Sequence, residues 1–267
     1  MVNKNSKIHP TAVIEDGAEV EADVSVGAYC VVGANVKIAQ GSQLGPHVVI
    51  RGHTTIGKNN IFHPFCSIGG DPQDLSYKGE PTQVLIGDGN VFREYISVNR
   101  GTLKQDGKSI IGSHGFFMSY CHFGHDVNIG DHVRIVNACN IAGHVVIGNK
   151  AIISGGTNIS QFVQIGKGAF IGGGSAIDRD IPCFMTAVGN RVQLKGINIV
   201  GLKRMGFERE AISEAVDFYR SMEISPVSPK TFCQAPEWTK DFANNPIVAE
   251  MIDFITQSKL GLPAFTS

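Results

Sequence analysis

Three histidines and an aspartate crowd two short stretches of this chain: Tyr120 to Asp126 reads YCHFGHD, and Ala142 to His144 reads AGH. An imidazole beside a carboxylate is the arrangement a general base needs, because the carboxylate fixes the tautomer and raises basicity toward working pH. His125 and Asp126 are neighbours in sequence, His122 lies just upstream, and His144 follows Asp126 by 18 residues. Whether these four groups meet depends on the scaffold that carries them.

That scaffold is written as a repeat of six. A large apolar residue returns at every sixth position from Ile8 to Phe62, again from Ile86 to Val98, and, after a shift of phase, from Ile111 to Ile177. Glycine is frequent at the second place of the hexad (Gly27, Gly45, Gly130) and a small residue at the fifth (Ala12, Val24, Ser42). A period of six suits neither an amphipathic helix nor long alternating strands. It predicts a mainly β solenoid, a parallel β-helix whose flat faces each consume one hexad, with leader and fifth residue pointing inward. Three hexads make one coil, so residues 18 apart stack at about the 4.8 Å spacing of adjacent strands. Asp126 then lies under His144, and His125 under Gly143 and, one coil further, Gln161. Neither the histidines nor Asp126 occupy inward positions, so all four are expected to project from the wet surface of the coil. A second column, Asn137, Gly155 and Gly173, leaves a strip without side chains, read either as a turn requirement or as a groove for an extended acyl chain.

The hexads are assigned to 8–67, 86–103 and 111–182, with loops at 68–85 and 104–110 and a β-helical domain over 1–190. After Pro182 the period stops. Apolar residues at helical spacing over 199–220 and 246–258 predict a C-terminal α-helical cap within 191–267. A formal charge of -1 argues against a general nucleic-acid binder. No apolar run is long enough for stable membrane insertion and the start lacks a signal-peptide core, so a soluble cytoplasmic protein is expected. The six cysteines show no CxxC spacing, and Cys30, Cys66, Cys121 and Cys139 share the fifth hexad place, which predicts small buried thiols. Around Arg179 to Arg209, six basic residues stand against three acidic ones, a patch that suits an acidic partner or a phosphate group, or is a solvated helix face.

Further motifs give the chain a resemblance. HFGHD from His122, AGH from Ala142, QDL from Gln73 with GEP from Gly79, NRGT from Asn99, SQF from Ser160 and NIVGLKR from Asn198 together resemble the UDP-N-acetylglucosamine 3-O-acyltransferases that begin lipid A synthesis. The likeness runs from the first hexad to about residue 212. It implies a homotrimer of left-handed β-helices with active sites between subunits. It also implies that His125 removes the proton of the sugar 3-hydroxyl, that Asp126 orients it, and that the Gly143 N–H faces the oxyanion. Gln73, Asp74, His122, His144 and Gln161 would hold the sugar, and Asn198 and Arg204 the nucleotide. Gly155, Gly173 and Arg191 would line the acyl groove. No cofactor is implied, since the hydroxyacyl group arrives on the phosphopantetheine of acyl carrier protein.

Some positions depart from that family's pattern. Val200 and Met205 stand where a glutamate and a second arginine are usual, Ser160 and Asn99 replace histidines, and Ser76 replaces a lysine. Gly173 leaves the groove open, which predicts a long hydroxyacyl chain. The sister N-acyltransferase carries a domain ahead of its coils, whereas these hexads begin at residue 8. Three other readings stay open: an acceptor bearing a 3-amino group, a zinc enzyme of the gamma carbonic anhydrase type using the three histidines, and a purely structural coil.

Overall fold

The computed structural model describes residues 1–266. Among them the hexads wind a three-faced prism, each face a sheet of short strands: 11 on the first, nine on the second and eight on the third. The first face starts at Lys7–Ile8, the second at Val13–Ile14 and the third at Glu19–Val20, after which the chain returns to the first at Ser25–Val26. Away from the two excursions and the final hairpin, partners are 18 apart and parallel, as Phe123 on Ile141 and Ile141 on Ile159 illustrate. Every leader from Val20 to Ile177 is buried.

These stacked leaders are the core. Phe62, Phe92 and Phe117 lie one above another with ring centroids 4.7 Å and 5.0 Å apart. Because each coil covers the one below, a cavity in one ring exposes two neighbours. Phe92→Ala is therefore expected to lower unfolding free energy by about 3–5 kcal/mol. Urea unfolding checks it, and a loss below about 1 kcal/mol would contradict a core built on this stack.

Edges turn through left-handed backbone, at φ 58° for Tyr29, 60° for Asp126 and 64° for His144. Since Tyr29 and Lys150 share this geometry with the histidine cluster, it belongs to the coil's edge and is not strain particular to a site.

Both loops are shorter or shifted relative to the sequence expectation. Strand Ser67–Gly70 continues the second face and Gln83–Ile86 already rejoins the third, so the first excursion is 71–82, not 68–85. Ile68 and Val84 are buried, which is what holds these ends in the sheet. The second excursion is 100–107, not 104–110, because Lys108–Ile111 pairs along its whole length with Gln83–Ile86. Both leave from the edge between second and third faces, the edge that carries His125.

The top of the prism is closed by an antiparallel hairpin, Met185–Val188 with Gln193–Ile197, so a division at residue 190 falls inside one element. The helical stretch over 199–220 is two helices, α1 (Ile199–Arg204) and α2 (Arg209–Glu223), broken at Gly206, where φ is 86°. Helices α3 (Pro229–Gln234), α4 (Pro236–Thr239) and α5 (Pro246–Gln257) follow. Phe218 and Met222 of α2 and Val248 and Met251 of α5 are buried, which docks the cap. All six cysteines are free and buried; burial pushes the Cys66 thiol up to about 12. No helix among the described residues is long and apolar enough to cross a membrane.

Candidate active site

His125 and Asp126 follow the strand His122–Phe123 at the edge between the second and third faces. The His125 Nδ1 lies 2.8 Å from an Asp126 carboxylate oxygen. A carboxylate can only accept, so Nδ1 carries a proton, and in the neutral ring it is Nε2 that keeps its lone pair. Asp126 also accepts from the Thr102 N–H at 2.8 Å and from the Thr102 hydroxyl at 2.7 Å, while its own N–H donates to Ser109. The Asp126 side chain is 0% exposed and that of His125 only 6%. The sequence expectation of a wet cluster is therefore wrong: loop 100–107 folds over it.

This loop makes the site's second layer. Gln105 bonds the His144 Nδ1 at 2.9 Å, leaving Nε2 of His144 3.7 Å from Asp126. Lys104 pairs with Asp74 at 2.6 Å, and Ser76 adds two donors to the same carboxylate, holding its pKa well below the usual range. Arg100 reaches from the loop's start to Asp71 and Tyr77, tying the first excursion to the second. Burial pushes the imidazoles of His122 and His144 below their ordinary value, so both are neutral donors or acceptors near pH 7. His122 shares a hydrogen with Ser97 at 2.8 Å.

Over the second face opens a cleft of about 480 Å³, lined among others by Gln73, His122, His125, Gly143, Gln161 and Arg191. Gly143 lies flat against the His125 ring: a Cβ there would sit 2.6 Å from Cε1. Its N–H has no acceptor among the described residues. A base nitrogen and a free backbone donor thus share one cleft, the pairing that acyl transfer to a hydroxyl requires.

A protein of Thermodesulfovibrio yellowstonii, named as an acyl-carrier-protein-dependent UDP-N-acetylglucosamine O-acyltransferase, is 41% identical over 257 residues, 96% of this chain and 99% of that one. The chain belongs to this O-acyltransferase family. Its C-terminal residues 180–262 match the family model for domain 2 of UDP-N-acetylglucosamine O-acyltransferase, and 35–70 match the bacterial transferase hexapeptide model. The structure of LpxA from Acinetobacter baumannii superposes with a TM-score of 0.92 at 38% identity, covering 96% of this chain and 99% of that one. The UDP-N-acetylglucosamine acyltransferase from Campylobacter jejuni gives 0.89 at 34% identity, covering 97% and 100%. The prism is accordingly the left-handed β-helix of the family, with its helical cap.

Not every residue expected for an O-acyltransferase site meets His125 within one chain. Asn198 and Arg204 line a separate cleft of about 640 Å³ on the first face, with Ile152, Phe170 and Met205. Asn198 holds the helix start there: its oxygen caps α1 by accepting from Gly201, and its amide donates to the Gly168 carbonyl at 2.9 Å. Asp74 sits beside the first cleft in the grip of Lys104, whereas its neighbour Gln73 lines it. Gly155 and Gly173 stack on the edge between first and second faces, where Gly174 donates to the Gly155 carbonyl at 2.9 Å. Arg191 reaches Asp178 at the upper end of the first cleft.

The zinc reading does not fit the donor set. Nitrogens of His125 and His144 and a carboxylate oxygen of Asp126 lie within 4.8 Å of one another, but His122 stands outside that group. Both Asp126 oxygens and both Nδ1 atoms already hold hydrogen bonds, to Thr102, Gln105 and each other. Sequence reasoning missed Thr102, Lys104 and Gln105 as site residues; the NRGT motif ends on Thr102 and was the available pointer.

Proposed function

We propose that the protein transfers a 3-hydroxyacyl chain from acyl carrier protein to the 3-hydroxyl of UDP-N-acetylglucosamine, the first step of lipid A synthesis, with His125 as general base. The observation that carries this reading is the buried Asp126 holding His125 Nδ1, which turns a lone pair into a cleft shared with the free Gly143 N–H. Nε2 takes the hydroxyl proton as the sugar oxygen attacks the thioester carbonyl. The tetrahedral oxyanion faces the Gly143 N–H, a contact of about 3 kcal/mol in comparable sites. Collapse breaks the carbon–sulfur bond, and the departing thiolate takes the proton back from Nε2. Gln73, Asp74, His122, His144 and Gln161 would position the sugar around that atom. No resident metal or cofactor enters this sequence, since the acyl group arrives on the carrier's phosphopantetheine. We assign the reaction to the cytoplasm. UDP-N-acetylglucosamine-dependent release of carrier thiol tests the reading; thiol release that ignores the sugar would overturn it. With Gly173 leaving its edge open, long hydroxyacyl carriers should be used faster than short ones, and a preference for the short would remove that part.

A homotrimer completes the site. The cleft of His125 opens over the second face and that of Arg204 over the first, and these two faces flank one edge. On that edge the exposed rings of Tyr29, His47, Phe65, Tyr95 and Tyr120 stack at 4.9–5.1 Å. Exposed aromatic surface of this extent marks an interface, and a three-fold axis along it sets the second face of each copy against the first face of the next. His125→Ala and Arg204→Ala chains, each weak alone, should therefore regain activity when refolded together. In random trimers about a quarter of the clefts carry both native side chains. Mixed trimers that stay as inactive as their parents would contradict a shared site.

A further inference from the structure

The cleft on the first face has a cationic end that nothing so far accounts for. Its floor is the column Arg134, Ile152, Phe170 and Thr186, each paired to the next across adjacent strands. The edge column His132, Lys150 and Gly168 and, bonded to it at Gly168, α1 with Ile197 and Met205 complete the lining. The middle is apolar and the lower end is not. Arg134 and Lys150 are exposed, and neither they nor Arg204 pairs with a carboxylate among the described residues. No Asp or Glu lines the cleft. Three cations and no carboxylate along a pocket of about 640 Å³ favour an anionic ligand.

The axial positions say which end of a ligand these cations reach. Arg134 follows His125 by nine residues, half a coil, so it lies only about 2.4 Å higher along the prism axis. Arg204 belongs to a helix fixed at the level of Gly168, roughly two coils above. Rotation about an axis parallel to the coil preserves height, so a neighbour's Arg134 arrives level with the base and its Arg204 well above it. Position 205, one step past Arg204, is the methionine Met205 and contributes only an apolar wall.

We propose that Arg134 and Lys150 bind the phosphate ester of an incoming substrate, supplying from the coil the charge that α1 lacks beyond Arg204. This deepens, and rests on, the acyl-transfer reading above. Two sources carry such a group: the diphosphate of the sugar nucleotide and the phosphodiester of the carrier's pantetheine arm. Guanidinium and ammonium groups suit either, as a bidentate fork and a mobile point charge respectively.

The test is equilibrium titration of the full-length protein with UDP and, separately, with 4′-phosphopantetheine, comparing the parent with the Arg134→Gln/Lys150→Gln double variant. Loss of two charge-assisted contacts is expected to weaken one of the two ligands about tenfold or more. Weakened UDP assigns the site to the nucleotide, and weakened phosphopantetheine assigns it to the carrier arm. A parent that binds neither, or affinities that all stay within about twofold, would overturn the proposal. Sugar-dependent thiol release by the parent, measured alongside, reports on the acyl-transfer reading by itself.

Discussion

Replacing His125 with alanine is expected to lower kcat/KM for acyl transfer by about a thousandfold, within the usual range for loss of a positioned base. The fold should survive. Asp126 loses one partner but keeps the Thr102 N–H and hydroxyl, so its buried charge is not stranded. The cost is that of one hydrogen bond to a charged group, about 1.5–3 kcal/mol. Steady-state kinetics with a melting curve on the same preparation separate the two effects. A variant that melts like the parent and still turns over within tenfold of it would remove the base from the mechanism.

Adding a single methyl group at Gly143 is expected to be nearly as damaging. The His125 ring sits where an alanine Cβ would go, 2.6 Å from Cε1 and 2.8 Å from Nε2. Contacts that short do not exist, so either the ring swings off Asp126 or the coil parts above it. The ring is the softer element. Gly143→Ala leaves the N–H in place and keeps φ within reach of alanine, so the stability loss should not exceed that of the His125–Asp126 bond, about 1.5–3 kcal/mol. A displacement of about 1 Å at a reacting nitrogen is enough to lower the rate by about a hundredfold. Gly143→Ala with parental kcat/KM would mean that Nε2 is not the atom that takes the proton.

How far the sequence announced these features depends on whether each leaves a periodic trace. The coil does, because every leader performs the same burial at the same interval, from Ile8 to Ile177. So does the base: His125 and Asp126 are sequence neighbours, and the 18-residue period alone places His144 and Gly143 over them. Loop bounds do so only in part: Ile68 falls six residues after Phe62 and continues the period onto Ile50, whereas Val84 returns to Thr54 after an excursion whose length no period sets. Nor does the cover over the base, since Thr102, Lys104 and Gln105 are polar loop residues without a period, and only the folded excursion brings them to Asp126, Asp74 and His144. The separation of Asn198 and Arg204 from His125 follows from the hairpin at Met185–Ile197, which sends the chain back across the first face. That Asn198 caps α1 with its side chain is likewise a property of the folded helix start.

The departures at Val200 and Met205 now have a structural setting. Val200 is 59% exposed on α1, and Met205 packs toward Gly168, so this helix presents less charge to the cleft than the resemblance implied. Arg134 and Lys150 line the same cleft.

Acyl transfer to the sugar 3-hydroxyl is tested most directly by the structure of the product. The protein should be incubated with a long 3-hydroxyacyl carrier protein and either UDP-N-acetylglucosamine or its 3-amino counterpart, and the purified product read by NMR. The expected result is an ester at O3 of UDP-N-acetylglucosamine, formed in step with carrier thiol release. Failure to acylate that sugar, or an acyl group found only on the nitrogen of the amino analogue, would contradict it.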